Sequence, residues 1–300
     1  MNIFIFLLVA CFWGGSFIAI KPLVEIVPPM TAAMLRIGIA IAFLLVLFPV
    51  MKIPLGLAKK LRFRVWGIGL FAFAIPFAML FWGERTISPG LAGVLNGTVP
   101  LFVFIFGTLF TPGVEVINFR KIAGLVLGLV GVVIIFLPKD STEFFNSSVI
   151  GALAVLFMAI SYAISVLLNR SLFTQHPEVH PFTNLFHQLS SGFVILVAVA
   201  LVKEGWPQFS TWQPASAVWI PIIYLSVGST SIAFVLFYKL IKDWGSVRAA
   251  TVTYVIPPAA LVIDFIWNRT VPGSNEMIGV VIITTGVVIL NLPTKSMAKN

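Results

Sequence analysis

The stretch Gly90 to Phe110, GLAGVLNGTVPLFVFIFGTLF, reappears in altered form as Val247 to Trp267, VRAATVTYVIPPAALVIDFIW. Both segments are long and apolar, and each carries a proline at the same relative depth, Pro100 and Pro257. The glycines that follow also repeat, because Gly124 and Gly131 match Gly279 and Gly286 at one common offset. The sequence is therefore duplicated, and its functional site should lie where the two halves face each other.

The composition is that of a helical membrane protein. Of the 300 residues, 59% are hydrophobic and only 10% are charged, and the mean hydropathy is +1.07. These values exclude a soluble chain. The net charge of +9 does not indicate nucleic-acid binding, since the basic residues form no patch that alternates with aromatic residues. Cys11 is the only cysteine, so the sequence offers no intrachain disulfide and no thiolate metal site.

The apolar segments predict how often the chain crosses the membrane. A helix needs on the order of 20 apolar residues to cross about 30 Å of hydrocarbon. By that measure there are about ten spans, joined by short connections rich in proline, glycine and charge. The predicted spans are Ile3 to Ile20, Thr31 to Phe48, Val65 to Trp82, Gly90 to Phe110, Ile122 to Leu137, Val149 to Leu168, Phe182 to Val202, Ala217 to Tyr238, Val247 to Trp267 and Met277 to Leu292.

The duplication and the charges together predict the topology. Each half holds about five spans, and because five is odd the second half enters the membrane from the opposite side, which gives inverted repeats. We expect an all-α integral membrane fold with one repeat at 1–138, a second at 147–293 and a tail at 294–300. Lysine and arginine are concentrated in the loops that share a side with the N-terminus, which predicts that both termini and the tail are cytoplasmic.

Arg36 is the first candidate for a binding residue. A charge inside a span costs several kcal/mol unless it faces a polar interior or a partner. The planar guanidinium could receive a carboxylate there. The alternative is that Arg36 reaches the outer interface or caps carbonyls of a neighbouring helix. His187 and Gln188 occupy the matching depth of the seventh span. Either could bind substrate, and the histidine could also carry a proton. The alternative is that both are structural.

Polar residues precede both prolines. Asn96 and Thr98 in the first half, and Thr251, Thr253 and Tyr254 in the second, lie where a proline frees a carbonyl of the preceding turn, so we expect them to line a cavity. Pro100 and Pro257 are then candidate hinges. The alternative is a kink that only shapes helix packing.

Further candidates come from one helix face and from the aromatic residues. Trp13, Ser16 and Phe17 share one face of the first helix, and Ser16 matches Ser161 of the second half, which Tyr162 follows. We expect Trp13, Ser16, Phe17 and Tyr162 to line an interior path.

Two acidic residues and the repeated glycines are expected to have other roles. Glu84 and Asp264 fall near the outer ends of spans, so we expect a screened gate or rim role, or simple solvation, rather than a buried proton site. The repeated glycines are expected to let helices approach closely, which makes the fifth and tenth helices a scaffold or a dimer surface.

Several chemistries have no motif in this sequence. It contains no phosphate-binding loop, no HExxH zinc motif, no GxSxG elbow and no cysteine cluster. We therefore expect no enzyme activity, no cofactor, no metal and no ATP-driven transport. An intramembrane enzyme would need a nucleophile with a base, and His187 has no convincing partner. A non-transporting membrane subunit remains a further alternative.

The sequence resembles the bacterial EamA-type exporters of the drug/metabolite transporter superfamily, over essentially the whole chain. The motifs that carry the resemblance are Phe12 to Phe17 with Ala19 to Lys21, Leu35 and Arg36, Ser88 to Ala92, Gly245 to Ala249, and Glu115 as the acidic residue after the fourth helix. Thr270 and Gln188 depart from it, since they stand where a second acidic residue and a second arginine are expected.

The resemblance implies a function. Similar proteins have ten helices around a central cavity and export amino acids or other small metabolites from the bacterial cytoplasm. We expect such an exporter in the inner membrane, working by alternating access as a monomer or weak homodimer. Arg36 would attract a carboxylate, and proton coupling and ion-free facilitation both remain open. Efflux of cationic drugs is the alternative within transport, although that function usually requires a central carboxylate.

Overall fold

The computed structural model describes residues 2–110, 118–136, 149–269, 271 and 273–291. Throughout this part of the chain the regular structure is helical. The predicted tail at 294–300 and the resemblance residues Glu115 and Thr270 lie outside it.

The helices are labelled in chain order, and two π-helical segments are labelled separately because each continues a longer helix. The labels are α1 (Asn2–Gly14), α2 (Ser16–Ile26), α3 (Pro29–Met51), α4 (Lys59–Gly69), π1 (Leu70–Ala74), α5 (Ile75–Gly83), α6 (Pro89–Asn96), α7 (Val99–Phe110), α8 (Phe119–Ile135), α9 (Val149–Gln175), α10 (Pro181–Lys203), α11 (Ala215–Ile223), π2 (Tyr224–Ile232), α12 (Ala233–Trp244), α13 (Ser246–Ala250), α14 (Val252–Asn268) and α15 (Ser274–Asn291). A short 3₁₀ turn, Phe209–Thr211, precedes α11.

Eight helices of the described residues are long and apolar enough to cross a membrane. They coincide with the first four predicted spans and with the sixth to ninth, and they establish a multi-pass membrane protein. The fifth and tenth predicted spans correspond to the shorter helices α8 and α15, of 17 and 18 residues. Ten crossings, like the cytoplasmic position of the termini, therefore stay a prediction.

The repeated stretch that carries Pro100 and Pro257 is an interrupted helix in both halves. In the first half α6 ends at Asn96 and α7 begins at Val99, one residue before Pro100. In the second half α13 ends at Ala250 and Thr251 forms a turn. Helix α14 then begins at Val252, five residues before Pro257. Both breaks thus precede the paired prolines, and a polar residue lies at each of them, Thr98 in the first half and Thr251 in the second.

The two halves exchange equivalent contacts. Helix α1 packs against α14 of the other half, and α9 packs correspondingly against α7. Helix α3 packs against π2, and α10 against π1. The pairs α3 with α10 and α8 with α15 then join equivalent helices directly. Each half is therefore completed by the other, and the interior of the bundle lies between them.

Helices α8 and α15 approach closely because glycines face each other between them. A Cβ on Gly131 would lie 2.8 Å from the carbonyl oxygen of Gly279, and one on Gly286 would lie 2.8 Å from that of Gly124. These are the glycines whose repetition was noted in the sequence. Small residues permit such approach, and dispersion then holds the helices together where lipid removes the hydrophobic drive.

Gly131→Ala should destabilise the protein by about 1–3 kcal/mol, because its methyl group must push α8 and α15 apart. The matched control is Gly67→Ala in α4, where a Cβ meets no atom within 4 Å. Alanine loses less backbone freedom on folding than glycine, so this change should be neutral or stabilising. Thermal unfolding in detergent micelles measures both. Equal melting temperatures for the two variants would contradict the close packing of α8 on α15.

Candidate functional site

A cavity lies at the centre of the bundle, between the two halves. Seven of the residues predicted from sequence line it: Trp13, Ser16, Phe17, Arg36, Asn96, Tyr162 and Thr253. Leu80, Val99, Met158, Ser165, Val166, Phe234, Phe237, Tyr238 and Ile256 complete the lining. Its wall is thus mainly apolar and aromatic, and Arg36 supplies its formal charge.

Arg36 is held inside the bundle rather than reaching toward the membrane interface. Its side chain is 3% exposed. The guanidinium donates from Nε to Thr230 Oγ1 at 2.8 Å and from Nη2 to Ser229 Oγ at 3.2 Å. Its Cζ lies 4.2 Å from the centroid of the Phe77 ring, a cation–π contact. Both hydrogen-bond partners are neutral hydroxyls, so the charge is solvated by dipoles and by an aromatic face.

The two hydroxyls are presented by the π-helical segment π2. A π-helix closes its hydrogen bonds over five residues rather than four, and such segments recur at functional sites. Thr230 Oγ1 donates to the carbonyl of Leu225 at 2.7 Å and Ser231 Oγ to that of Ser226 at 2.9 Å, both five residues earlier. The run Ser229-Thr230-Ser231 within a mainly apolar span is the sequence signal for these residues, which were not predicted.

The same segment is tied to the first helices of the chain. Ser16 Oγ hydrogen-bonds to Ser229 Oγ, and Trp13 Nε1 donates to the carbonyl of Ser229 at 2.9 Å. Across the pseudo-symmetry Ser161, the counterpart of Ser16, donates to the carbonyl of Phe71 in π1 at 2.9 Å. Each half therefore anchors a serine on the π-helical segment of the other.

The interrupted helices add polar groups in matching places. Asn96 and Thr253 each stand four residues before their proline, and both line the cavity. A proline cannot donate to the carbonyl four residues earlier, so these two positions have a backbone oxygen without its usual helical partner. Asn96 and Thr253 are two of the polar residues that were expected from the sequence to line a cavity.

Two of the predicted residues beside Pro257 point elsewhere. Tyr254 is 0% exposed, and its hydroxyl donates to the carbonyl of Leu125 in α8 at 2.9 Å. Thr251 Oγ1 donates to the carbonyl of Arg248 at 2.7 Å. The face of α14 that reaches the cavity carries Thr253 and Ile256 instead, since neighbouring residues of a helix point in different directions.

His187 and Gln188 also lie outside the cavity lining. His187 Nε2 lies 3.0 Å from the carbonyl oxygen of Leu55, in the connection between α3 and α4. Gln188 belongs to a buried amide cluster, in which its Nε2 donates to Asn169 Oδ1 at 2.8 Å and to Asn184 Oδ1 at 2.9 Å. The hydroxyl of Tyr238 donates to Gln188 Oε1 and joins this cluster to the cavity wall.

The expectation that Glu84 is solvated is wrong. Glu84 follows α5 directly and is 0% exposed. A position near the end of a span does not by itself imply exposure, and here α2 and α9 pack against α5. The side chain of Asp264 lies outside what the structure describes.

The cavity is small, at about 60 Å³. Sites that hold drug-sized ligands enclose about 300–1,000 Å³. The residues around it must therefore move apart before a metabolite fits between them.

Comparison with known proteins identifies relatives along the whole chain. The model of the EamA-like transporter family matches residues 1–137 and 149–292. Protein PagO of Salmonella typhimurium is 25% identical over 99% of this chain and 96% of its own. The uncharacterized transporter YoaV of Bacillus subtilis is 26% identical over 93% and 92%, and the uncharacterized inner membrane transporter YedA of Escherichia coli is 25% identical over 93% and 87%.

A solved structure supports the fold independently. It is the crystal structure of a protein that superposes with a TM-score of 0.80, covering 99% of this chain and 98% of its own, at 19% sequence identity. At this identity the likeness concerns the fold alone.

Thr230→Val should destabilise the protein by about 1–3 kcal/mol, because it leaves the buried Nε of Arg36 without its acceptor. The control is Thr284→Val on α15, an exposed threonine whose hydroxyl bonds only to its own helix, where we expect a change of about 0.5 kcal/mol or less. Melting temperatures in detergent compare the two. Equal stability of both variants would mean that Arg36 does not depend on π2.

Proposed function

Because the chain belongs to the EamA-like transporter family, we propose that it is a secondary transporter that exports amino acids or related small metabolites across the bacterial inner membrane by alternating access. Relatives named as transporters support transport itself. The observation that carries the choice of substrate is Arg36, a buried guanidinium on the wall of the central cavity.

The surroundings of Arg36 favour a carboxylate ligand. Its two acceptors are neutral hydroxyls, so the positive charge in the cavity is only partly compensated. A substrate carboxylate would supply the compensating charge, and charge-assisted hydrogen bonds to a guanidinium are stronger than neutral ones. The same positive charge disfavours a cationic drug at this position, which argues against the alternative transport function.

The rest of the wall favours an apolar or aromatic side chain on the solute. The ring centroid of Trp13 lies 5.1 Å from that of Phe234 and 5.0 Å from that of Phe237. The ring centroid of Tyr162 lies 6.5 Å from that of Phe234. These rings face the cavity opposite few polar groups. Binding sites for small metabolites commonly combine such a surface with a few placed polar groups.

Alternating access is supported by the way the halves are built. Equivalent contacts are exchanged between them, and each contributes one interrupted helix to the cavity. Inverted repeats that enclose a site near discontinuous helices are the construction of many alternating-access transporters. Rocking of one half against the other, with Pro100 and Pro257 as hinges, would widen the small cavity toward one side at a time. The distribution of lysine and arginine favours the end that carries Glu84 as the periplasmic one.

The test is flux of labelled amino acids into liposomes that contain the purified protein, with phenylalanine and phenethylamine as competitors. These two compounds share a ring and an amine and differ in the carboxylate. We expect phenethylamine to compete at least about tenfold more weakly, since a charge-assisted hydrogen bond contributes about 1.5–3 kcal/mol. In Arg36→Ala this preference should disappear, because the group that distinguishes the two compounds is gone.

The control variant is Arg120→Ala, which removes an exposed arginine at the start of α8 and should keep the preference. A preference for phenylalanine that survives in Arg36→Ala would assign the carboxylate to another residue. Absence of flux for every amino acid, together with flux of a cationic dye, would favour drug efflux instead.

A further inference from the structure

Glu84 is a buried acid with no hydrogen-bond partner for either carboxyl oxygen in the described part of the chain. Native proteins rarely leave buried polar atoms unpaired, and such exceptions need an explanation. Here the unpaired group is ionisable, so its charge state has structural consequences.

The cations near Glu84 use their donors elsewhere. Lys21 Nζ, from α2, donates to the main-chain carbonyls of Glu84 at 2.8 Å and Arg85 at 3.3 Å. Arg36, from α3, donates to the hydroxyls of π2. Arg85 is exposed. The absence of an ion pair between these cations and the Glu84 carboxyl in the described part of the chain is consistent with an uncharged carboxyl.

Helix α9 contributes no further charge to this place. It packs on the end of α5 through Gly151 and Val155, which lie against Gly83. Its titratable group in this region, Tyr162, faces the cavity beside Arg36. The groups that act electrostatically on Glu84 are therefore Lys21 and Arg36.

Glu204 provides the contrast within the same chain. It too follows the end of a long helix, and its two carboxyl oxygens accept from the main-chain nitrogens of Met30 and Thr31 and from Thr31 Oγ1, each at 2.8 Å. Three donors at a helix N-terminus stabilise a carboxylate anion. Glu84 has no such donor at either carboxyl oxygen in the described part of the chain.

The physical cause is loss of hydration. Burial raises the pKa of Glu84 well above its usual range, and the positive charges of Lys21 and Arg36 only partly oppose this effect. An ionised carboxylate without hydrogen bonds would be far more costly to bury than the neutral acid.

The position of Glu84 connects its protonation to the cavity. Leu80 of α5 and Phe17 of α2 line the cavity, and Glu84 and Lys21 stand one helical turn beyond them. Ile20 and Phe81 are fully buried between these two levels. Glu84 and Lys21 therefore belong to the layer that closes this end of the cavity, referred to below as the Glu84 end.

We propose that Glu84 is a proton-binding site that holds a proton while the Glu84 end is closed and releases it to water when that end opens. On release the carboxylate becomes hydrated, and Lys21 beside it can pair with it. The closed form is then stabilised at low pH, and this stabilisation is lost as the pH rises through the pKa that Glu84 has in the closed form. Coupling of this proton to export rests on the proposed function.

The first experiment is infrared spectroscopy of the protein in lipid bilayers, titrated with pH, on the wild type, Glu84→Gln and Glu204→Gln. We expect a carbonyl-stretch band of a protonated carboxylic acid that persists at neutral pH, where an ordinary glutamate with a pKa of about 4.3 has lost its proton. The band should be lost in Glu84→Gln and kept in Glu204→Gln. A wild type without such a band, or a band unchanged in Glu84→Gln, would overturn the proposal.

The second experiment measures opening of the Glu84 end by maleimide labelling of Ile20→Cys in a Cys11→Ser background, since Cys11 is exposed. Between about pH 6 and about pH 9 the labelling rate should rise several-fold more with Glu84 present than in the Glu84→Gln variant, whose neutral amide mimics the acid. Comparing the two removes the pH dependence of the thiol itself. Equal rises in both would show that protonation of Glu84 does not control closure.

Neither experiment requires a transported substrate, so each can fail or succeed whatever the outcome of the amino-acid flux test. With a transported substrate in hand, Glu84→Gln should abolish the dependence of flux on a pH gradient, and His187→Gln should preserve it. The opposite pattern would assign the coupling proton to His187 and overturn the role of Glu84 in coupling.

Discussion

A guanidinium inside a membrane protein must be hydrogen-bonded, and this requirement organises the centre of the molecule. Arg36 on α3 finds its acceptors on π2, which belongs to the other half of the chain. Within this π-helical segment the Thr230 hydroxyl donates to the carbonyl of Leu225, five residues earlier, and accepts from Arg36. Ser16 and Trp13 bond to the same short segment, so a single cluster of hydrogen bonds holds α1, α2, α3 and π2 together. The site and the interface between the halves are therefore one structure.

The duplication supplies the remaining polar groups without breaking the rule that backbone must be satisfied in lipid. Irregular backbone is tolerated at membrane depth where it is buried or lines a cavity. Both interrupted helices obey this, since Asn96 and Thr253, four residues before their prolines, face the cavity rather than the bilayer. The α8–α15 pair shows the opposite use of duplication, in which matched glycines create a tight apolar contact away from the site.

How much of this could be predicted from sequence differs between the levels of structure. Hydropathy and the repeat located the long helices. Helical spacing predicted one shared face for Trp13, Ser16 and Phe17, and all three line the cavity although the helix is interrupted between Gly14 and Ser16. Depth alone could not fix rotation, so Thr251 and Tyr254 were expected to line the cavity together with Thr253, which alone of the three does so. The π-helical segments were also missed, because nothing in a hydropathy pattern distinguishes a five-residue from a four-residue hydrogen bond. The burial of Glu84 depends on contacts from other helices and loops, which a single segment does not encode.

The two halves have also diverged in sequence, and this divergence makes the two halves of the site chemically different. Gln188 stands where the second half would hold the counterpart of Arg36, and its amide is fully engaged with Asn169, Asn184 and Tyr238. A neutral, self-satisfied cluster needs no ligand to complete it, whereas a guanidinium held only by hydroxyls gains from an anion. Under the proposed alternating access, the amide cluster and Arg36 would therefore not be interchangeable partners for a solute. A carboxylate on the solute would lie at Arg36, nearer the Glu84 end, and its apolar part would lie against the rings of α1 and α12. That asymmetry would orient a solute between two similar halves, and it would place the bound charge one helical layer from Glu84.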